Sequence, residues 1–274
     1  MAQPRKIIDA HIHLFGPDPW ADELARSVGH VNTHEHLQEE YRRLGITHAV
    51  VMGNADPTPD AYAFGPDYHY CVGLDGAQIY RLGPDKVPAM VEEHLRRPAC
   101  CGIKLYPGYD DHYVTDPLYM PYYALAARYH KPVAIHTGQT QDQHGKLKYC
   151  HPMTVDEIAT DYPDVQFVLC HFGNPMLADA AAVMEKNPNV SADISGLLEG
   201  YEDLEHFFTE KRFYVEMLKG WLSYGDYWDR IIFGTDWPGV NLENYLDFIL
   251  RLVPEKWQQA VLFDNANRIY GLGL

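Results

Sequence analysis

Short apolar runs recur along the chain, and most are followed by a polar or amphipathic stretch long enough for a helix. Runs of about four to eight residues that are rich in Val, Ile and aromatic side chains are typical of buried strands. The pattern predicts eight strands, at residues 6–12, 46–52, 68–74, 101–105, 132–136, 165–171, 190–195 and 230–236. It predicts helices at 35–44, 87–97, 119–129, 154–161, 175–186 and 204–223, and two more helices close the chain.

This alternation predicts an α/β fold with a parallel sheet, because right-handed crossovers place helices against both faces of such a sheet. Eight strands close a (β/α)8 TIM barrel, and about 250 residues is typical of one. The chain has 274 residues and no linker rich in Gly or Ser. We therefore expect a single barrel domain over residues 1–274.

Composition narrows the class of partner. The formal net charge of −16 argues against nucleic acid, because phosphates are bound by basic surfaces. No apolar run is long enough to span a bilayer, and residues 1–6 lack the apolar core of a signal peptide. The five cysteines lack Cys-x-x-Cys spacing, which is typical of free thiols in a reducing compartment. We expect a cytoplasmic protein with a small-molecule substrate, and its 20 tyrosines suit a binding cleft or the interface of a homo-oligomer.

The motif His11-x-His13 ends the first predicted strand. Side chains alternate across a strand, so both imidazoles point to the same face. Two neutral imidazoles at a strand end are a good beginning for a divalent metal site, although a pair of hydrogen-bonded structural histidines has the same spacing. A second copy, His34-x-His36, follows Thr33 in the manner of a capped helix start, and we expect a solvated helical turn there.

Further potential ligands close four of the later strands, namely Lys104, His136, His171 and Asp236. The carboxyl ends of the strands in a (β/α)8 barrel form one rim, and catalytic groups lie on it. A single histidine at a strand end is most often a hydrogen-bonded packing residue, but several ligands on one rim are typical of a metal centre. The sequence therefore predicts a divalent metal site formed by His11, His13, Lys104, His136, His171 and Asp236.

In combination these residues resemble the amidohydrolase superfamily, which carries the pattern Asp9-x-His11-x-His13 on the first strand and the other ligands on the fourth, fifth, sixth and eighth strands. The segments 233–238 (FGTDWP) and 265–272 (NANRIYGL) are similar to its amidohydrolase-related branch. That branch contains hydrolases and lactonases alongside non-oxidative decarboxylases such as aminocarboxymuconate semialdehyde decarboxylase. The resemblance implies a metal-dependent enzyme, with zinc as the expected ion.

The resemblance leaves one or two metal ions open, and Lys104 distinguishes the two arrangements. In the binuclear arrangement, a carboxylated Lys104 bridges two ions, one held by His11, His13 and Asp236 and the other by His136 and His171. In the mononuclear arrangement, His11, His13, His136 and Asp236 hold one zinc ion, His171 is free as an acid–base group, and Lys104 faces the substrate. The stretch 104–107 (KLYP) resembles dihydroorotase and favours the binuclear arrangement.

Dihydroorotase itself is not expected. That family follows its His-x-His motif with an arginine that grips the substrate carboxylate, whereas Leu14 and Phe15 follow the motif here.

We expect a hydrolase in which a metal-activated water attacks a carbonyl of an amide, cyclic amide or lactone in a small substrate, which can itself carry a carboxylate. Asp236 is expected to shuttle the water's proton to the leaving group, with His171 as a second acid–base residue. Tyr106 and Trp237 follow rim residues and are expected to contact the substrate.

Two alternatives stay open. A non-oxidative decarboxylase of an aromatic or muconate-like acid would use the metal to orient its substrate, while Asp236 or His171 protonates a ring carbon. A catalytically inactive metal-binding barrel is the second alternative.

Three expectations concern the surroundings of the rim. The loop 137–149 follows the fifth strand and should overlie the rim, where loops carry specificity. Asp193, in the seventh strand, is expected to be a hydrogen-bonded inward polar residue, with substrate contact as the alternative. The strand residues expected to be buried are Val50, Val133, Ile135, Val168, Leu169 and Ile232.

Overall fold

Eight parallel strands form one sheet in the computed structural model, which describes residues 6–54 and 56–274. Their order in the sheet is their order in the chain. The strands are β1 Ile7–Ile12, β2 Ile46–Met52, β3 Tyr68–Leu74, β4 Cys100–Leu105, β5 Val133–Ile135, β6 Phe167–Leu169, β7 Val190–Asp193 and β8 Ile231–Ile232. The Ala10 amide donates to the Phe233 carbonyl (3.0 Å) and the Asp236 amide donates to the His11 carbonyl (2.8 Å). These bonds join β1 to the chain that follows β8, and the sheet thereby closes into the predicted (β/α)8 barrel.

Eleven α-helices lie in the described residues and pack around the barrel. They are α1 Pro19–Ser27, α2 His34–Leu44, α3 Gly76–Leu82, α4 Val87–Leu95, α5 Met120–Tyr129, α6 Met153–Asp161, α7 Leu177–Lys186, α8 Leu204–Glu210, α9 Arg212–Leu222, α10 Leu242–Leu252 and α11 Asn265–Ile269. The Thr33 hydroxyl accepts a hydrogen bond from the His36 amide (3.3 Å), so α2 begins at the second His-x-His motif, as predicted. Across the described range, no helix is long and apolar enough to cross a bilayer. The prediction about a signal peptide rests chiefly on residues 1–5, which lie outside that range.

Two apolar clusters divide the strand residues between the two faces of the sheet. One cluster packs the outer face against the helices. The other contains Ile8, Val50 and Ile232 together with the C-terminal residues Ile269 and Tyr270, and it fills the barrel interior. All six side chains predicted to be buried are fully buried. The Asn265 amide donates to the carbonyls of Trp228 (2.9 Å) and Ile231 (2.7 Å), which ties the C-terminal segment to the amino end of β8.

Five strands are shorter than predicted, β1 by one residue and β5, β6, β7 and β8 by two to five, because the apolar runs continue beyond the hydrogen-bonded ladder. β5 ends one residue before His136, and β6 ends two residues before His171. The backbone φ is +61° at His171 and +68° at Asp236, and such left-handed residues cannot continue a strand. The predicted helix at 204–223 was also wrong in one respect, since it is divided at Lys211 into α8 and α9.

Candidate metal centre

His11, His13 and Asp236 meet where β1 lies beside the chain that follows β8. The Asp236 Oδ1 atom is 3.4 Å from His11 Nε2 and 3.4 Å from His13 Nε2. The bond from the Asp236 amide to the His11 carbonyl and the left-handed turn at Asp236 hold the carboxylate over the strand end. The three atoms lie within reach of a single ion.

In both histidines, Nδ1 is the ring nitrogen that faces away from this centre. Its hydrogen-bond partner determines that the ring proton lies on Nδ1. His11 Nδ1 lies 2.8 Å from the Asp193 carboxylate, and His13 Nδ1 lies 3.1 Å from the Met52 carbonyl. A carboxylate and a carbonyl only accept hydrogen bonds, so each Nδ1 is a donor, and each neutral ring directs its Nε2 lone pair at Asp236. Burial lowers the pKa of His11 to about 4, so this ring is neutral at physiological pH.

Three electron-pair donors therefore converge with no proton between them. Burial alone would raise the pKa of Asp236, but attraction to the neighbouring histidines, chiefly His171, outweighs burial and holds the pKa well below its usual range. His11 Nε2 is buried and has no hydrogen-bond partner among the described residues. A divalent cation satisfies such a set, and two imidazoles with one carboxylate are ligands that zinc commonly takes. The residues thus fit a metal ion on their own geometry.

His136 and His171 extend the centre to one side. The His171 ring centroid is 4.9 Å from that of His11 and 5.0 Å from that of His136. His136 Nε2 is also buried without a hydrogen-bond partner in the described chain. Burial, followed by repulsion from His171, lowers the pKa of His136 well below its usual range and keeps the ring neutral. Both histidines are thus placed to supply further ligands, or one of them an acid–base group.

Lys104 is buried beneath these rings and points at a thiol. Its Nζ donates to Cys170 Sγ (2.8 Å) and lies 5.1 Å from the centre of the Tyr106 ring. The structure therefore brings all six residues of the predicted site together at one end of the barrel. Which of them bind metal, and whether Lys104 is carboxylated, stay predictions.

Asp193 also lies within reach of His11 and His171, but its oxygens are already used. Oδ2 accepts from His11 Nδ1, and Oδ1 accepts from the amides of His171 (2.9 Å) and Ser195 (3.1 Å) and from the Ser195 hydroxyl (2.6 Å). Oδ1 thus accepts three hydrogen bonds, and Oδ2 is directed at His11 Nδ1, the nitrogen that faces away from the centre. Asp193 is thus the hydrogen-bonded polar residue expected from the sequence, and it supports the ligands from behind.

A cavity of about 880 Å³ opens over the centre. His13, Lys104, His136, His171 and Asp236 line its floor, and Tyr106 lines its wall. The loop after β5 contributes Gln139, Gln141 and Asp142, as expected for a loop over the rim.

Trp237 is placed differently from its neighbours. It is 1% exposed and packs against His30 at a ring distance of 5.2 Å, while Pro238 lines the cavity in its place. Its position does not favour the predicted substrate contact.

Sequence reasoning missed one wall of the cavity. Phe207 reaches it from α8, Tyr214 from α9 and Lys211 from the junction between them, a stretch for which the sequence predicted a helix and no role in the site. Asn54 and Tyr109 follow β2 and β4 and also line it. Their position just after strand ends is the signal that could have identified them.

Solved structures share this architecture. An amidohydrolase from Burkholderia multivorans with bound zinc is 16% identical, with a TM-score of 0.69 and coverage of 97% of this chain and 99% of that one. A probable 2-pyrone-4,6-dicarboxylic acid hydrolase from Acinetobacter baumannii with bound citric acid is 13% identical, with a TM-score of 0.60 and coverage of 98% and 100%. A 2,6-dihydroxybenzoate decarboxylase from Rhizobium is 16% identical, with a TM-score of 0.65 and coverage of 99% and 100%. At these identities the likeness concerns the fold alone.

No curated protein matches the chain. The sequence model of a family described as amidohydrolase (amidohydrolase 2) matches residues 8–272. Because this match spans nearly the whole chain, the protein belongs to the amidohydrolase family.

Proposed function

We propose that the protein is a zinc-dependent hydrolase that cleaves a lactone, cyclic amide or amide in a small molecule. The observation that carries the proposal is the convergence of His11 Nε2, His13 Nε2 and Asp236 Oδ1, with no proton between them, on the floor of a large cavity. A divalent ion held there lowers the pKa of water from about 15.7 to about 7 and polarises a carbonyl.

Asp236 is the proposed proton carrier. An ionised carboxylate at this position has lone pairs that can accept a proton from the attacking water. Its Oδ1 faces the two histidines, which leaves Oδ2 for this transfer. A Cβ atom at residue 196 would lie 3.1 Å from Oδ2 and 3.2 Å from His171 Nδ1, so Gly196 keeps this space open. The proton then passes from Asp236 to the leaving group.

His171 is the proposed second acid–base residue. Its Nδ1 lies 2.9 Å from the Ser195 hydroxyl, which donates its only hydrogen to Asp193, so His171 must be the donor in this contact. In the neutral ring, Nε2 then holds the lone pair and is available for proton transfer. Because both His171 and Asp236 line the cavity, a substrate there lies between two groups that can move a proton.

The charge of the cavity favours hydrolysis over decarboxylation. Five carboxylates line it, at Asp75, Asp142, Glu199, Glu202 and Asp236. The described lining residues include two lysines, Lys104 and Lys211, and no arginine. Apart from the metal, only these two lysines could balance the negative charge of an anionic substrate. A substrate without a net negative charge is therefore proposed, in contrast to the carboxylic acids that a decarboxylase requires.

The test is a substrate panel with the zinc-loaded protein. We expect hydrolysis of lactones or cyclic amides, measured as acid release, and no carbon dioxide from hydroxybenzoates or muconate-like acids. Asp236→Asn, which is nearly isosteric, should retain the fold by circular dichroism and lose turnover. Asp156→Asn, a change on the outer helix α6, is the matched control and should retain turnover.

Carbon dioxide release without hydrolysis would assign the protein to the decarboxylases. A zinc-loaded protein that turns over neither group of compounds, in a panel that includes charged and neutral members, would favour the inactive metal-binding barrel.

A further inference from the structure

Asp193, the last residue of β7, touches two histidines of the centre from opposite sides of one carboxylate. Oδ2 accepts from the His11 ring, and Oδ1 accepts from the backbone of His171. The side chain is fully buried. One acidic group on a third strand thus connects ligand candidates on β1 and after β6.

We propose that Asp193 is a positioning residue that selects the metal-binding tautomer of His11 and holds His171 in its left-handed turn. The proposal rests on the metal centre of the proposed function, but it concerns the protein before any metal or substrate binds.

A neutral imidazole has two tautomers, and only one of them can use the inner nitrogen as a ligand. With the proton on Nδ1, the His11 Nε2 lone pair faces Asp236 Oδ1 at 3.4 Å. With the proton on Nε2, the ring would present a hydrogen to the ion and could not bind it. Because an ionised carboxylate only accepts, Asp193 permits the first tautomer and excludes the second.

The other oxygen of Asp193 acts on the backbone. His171 and Phe172 have φ values of +61° and +45°, which residues with a side chain rarely adopt. The His171 amide donates to Asp193 Oδ1 at 2.9 Å within this turn, and the turn directs the His171 ring into the cavity. The bond supplies the compensation that a strained turn needs.

The substitution Asp193→Asn tests the tautomer directly, because an amide has one accepting and one donating end. The Oδ1 side meets two backbone amides, which cannot become acceptors. The Oδ2 side meets His11 Nδ1, which can accept if its proton moves to Nε2. The amide will therefore turn its carbonyl towards the backbone and its NH2 group towards His11, which forces His11 into the wrong tautomer.

The experiment uses metal-free protein labelled with ¹⁵N-histidine, at a pH where the rings are neutral, followed by titration with Zn²⁺ alone. The His11 signals are assigned by their loss in His11→Asn. In wild type we expect the protonated nitrogen of His11 to be Nδ1. In Asp193→Asn we expect it to be Nε2, with a zinc affinity lower by about 10–100-fold, the usual effect of removing a hydrogen-bond partner of a ligand histidine.

Ser195→Ala is the matched control. It removes one donor to Asp193 Oδ1 but keeps the charge and the bond to His11. We expect the His11 tautomer to be that of wild type and the zinc affinity to stay closer to wild type than in Asp193→Asn.

A wild-type His11 that carries its proton on Nε2 would overturn the proposal, and this measurement decides even if Asp193→Asn does not fold. A folded Asp193→Asn protein with wild-type zinc affinity would overturn it as well. Neither measurement uses a substrate, so failure of the hydrolase assay leaves this proposal standing, and failure of this proposal leaves the assay unaffected.

Discussion

Two fully buried histidines, His94 on α4 and His11 on β1, show what separates a structural site from a metal site. His94 Nε2 donates to the Pro57 carbonyl (3.0 Å), and its Nδ1 accepts from the Tyr70 hydroxyl (3.0 Å). Burial lowers the pKa of His94, as it does that of His11. Burial and a lowered pKa are therefore common to both sites.

The difference lies in the inner nitrogen and in what surrounds it. His11 Nε2 has no hydrogen-bond partner among the described residues, and it faces a carboxylate oxygen and a second imidazole. A missing partner alone is not sufficient, since the buried hydroxyl of Tyr270 in the barrel interior also lacks one. Convergence of several lone pairs on one point is what indicates a cation.

The largest expected effect follows from removing the convergent site. His11→Ala should lose bound metal and lower turnover by more than about 100-fold, because a missing ligand loosens the ion and its activated water together. Its far-ultraviolet circular dichroism should match wild type. His34→Ala, at the exposed first histidine of the second His-x-His motif, is the control and should change neither metal content nor turnover. A His11→Ala protein with full metal content and full activity would refute the site.

Lys104 decides how far the centre extends beyond the first three ligands. A carboxylated Lys104 predicts close to two metal ions per chain, falling to one or fewer in Lys104→Ala, with partial rescue of activity by short-chain carboxylates. Cys170→Ser keeps an acceptor near Nζ and is the control, with unchanged stoichiometry. A single ion in wild type that Lys104→Ala leaves unchanged would support the mononuclear arrangement.

Changing His94 should lower stability and leave zinc binding intact, whereas changing His11 should remove the metal and leave the fold intact. His94→Ala leaves the Pro57 carbonyl and the Tyr70 hydroxyl without a partner and should lower the free energy of unfolding by about 1–3 kcal/mol. Zinc stoichiometry should not change. Chemical denaturation and metal analysis of the same sample measure both, and loss of zinc on this change would remove the distinction between the two sites.

The two sites should also differ in how they respond to acid. The pKa of His94 is lower in the folded than in the unfolded protein, so its contribution to stability is present above about 6.5 and is lost as the pH falls through the lower, folded value. His94→Gln keeps a donor and an acceptor but does not titrate. Between pH 7 and pH 5, the free energy of unfolding should therefore fall less in metal-free His94→Gln than in wild type; equal falls would contradict this account.

The sequence predicted the barrel and the six rim residues because both depend on short-range patterns. Apolar runs such as 46–52 indicate strands, and parallel strands must end on one rim. The same runs overestimated β6 and β8, whose ladders end at Leu169 and Ile232, before the left-handed residues His171 and Asp236.

The contacts that hold the predicted site residues in place could not be predicted from such short-range patterns. The bond between Asp193 and His11 joins residues 182 positions apart, and it depends on how the barrel closes. The contact between Lys104 and Cys170 likewise depends on the positions of two strands that are not neighbours in the sheet. Residue type and spacing do not determine such contacts.

We propose that the carboxyl end of this barrel holds a divalent metal ion. The most direct test of this proposal is the metal content of the purified protein, measured by atomic emission before and after chelation and after dialysis against Zn²⁺. We expect one or two equivalents per chain, removed by chelator and restored by zinc in wild type but not in His11→Ala. Less than about a tenth of an equivalent, with no uptake after dialysis, would contradict it.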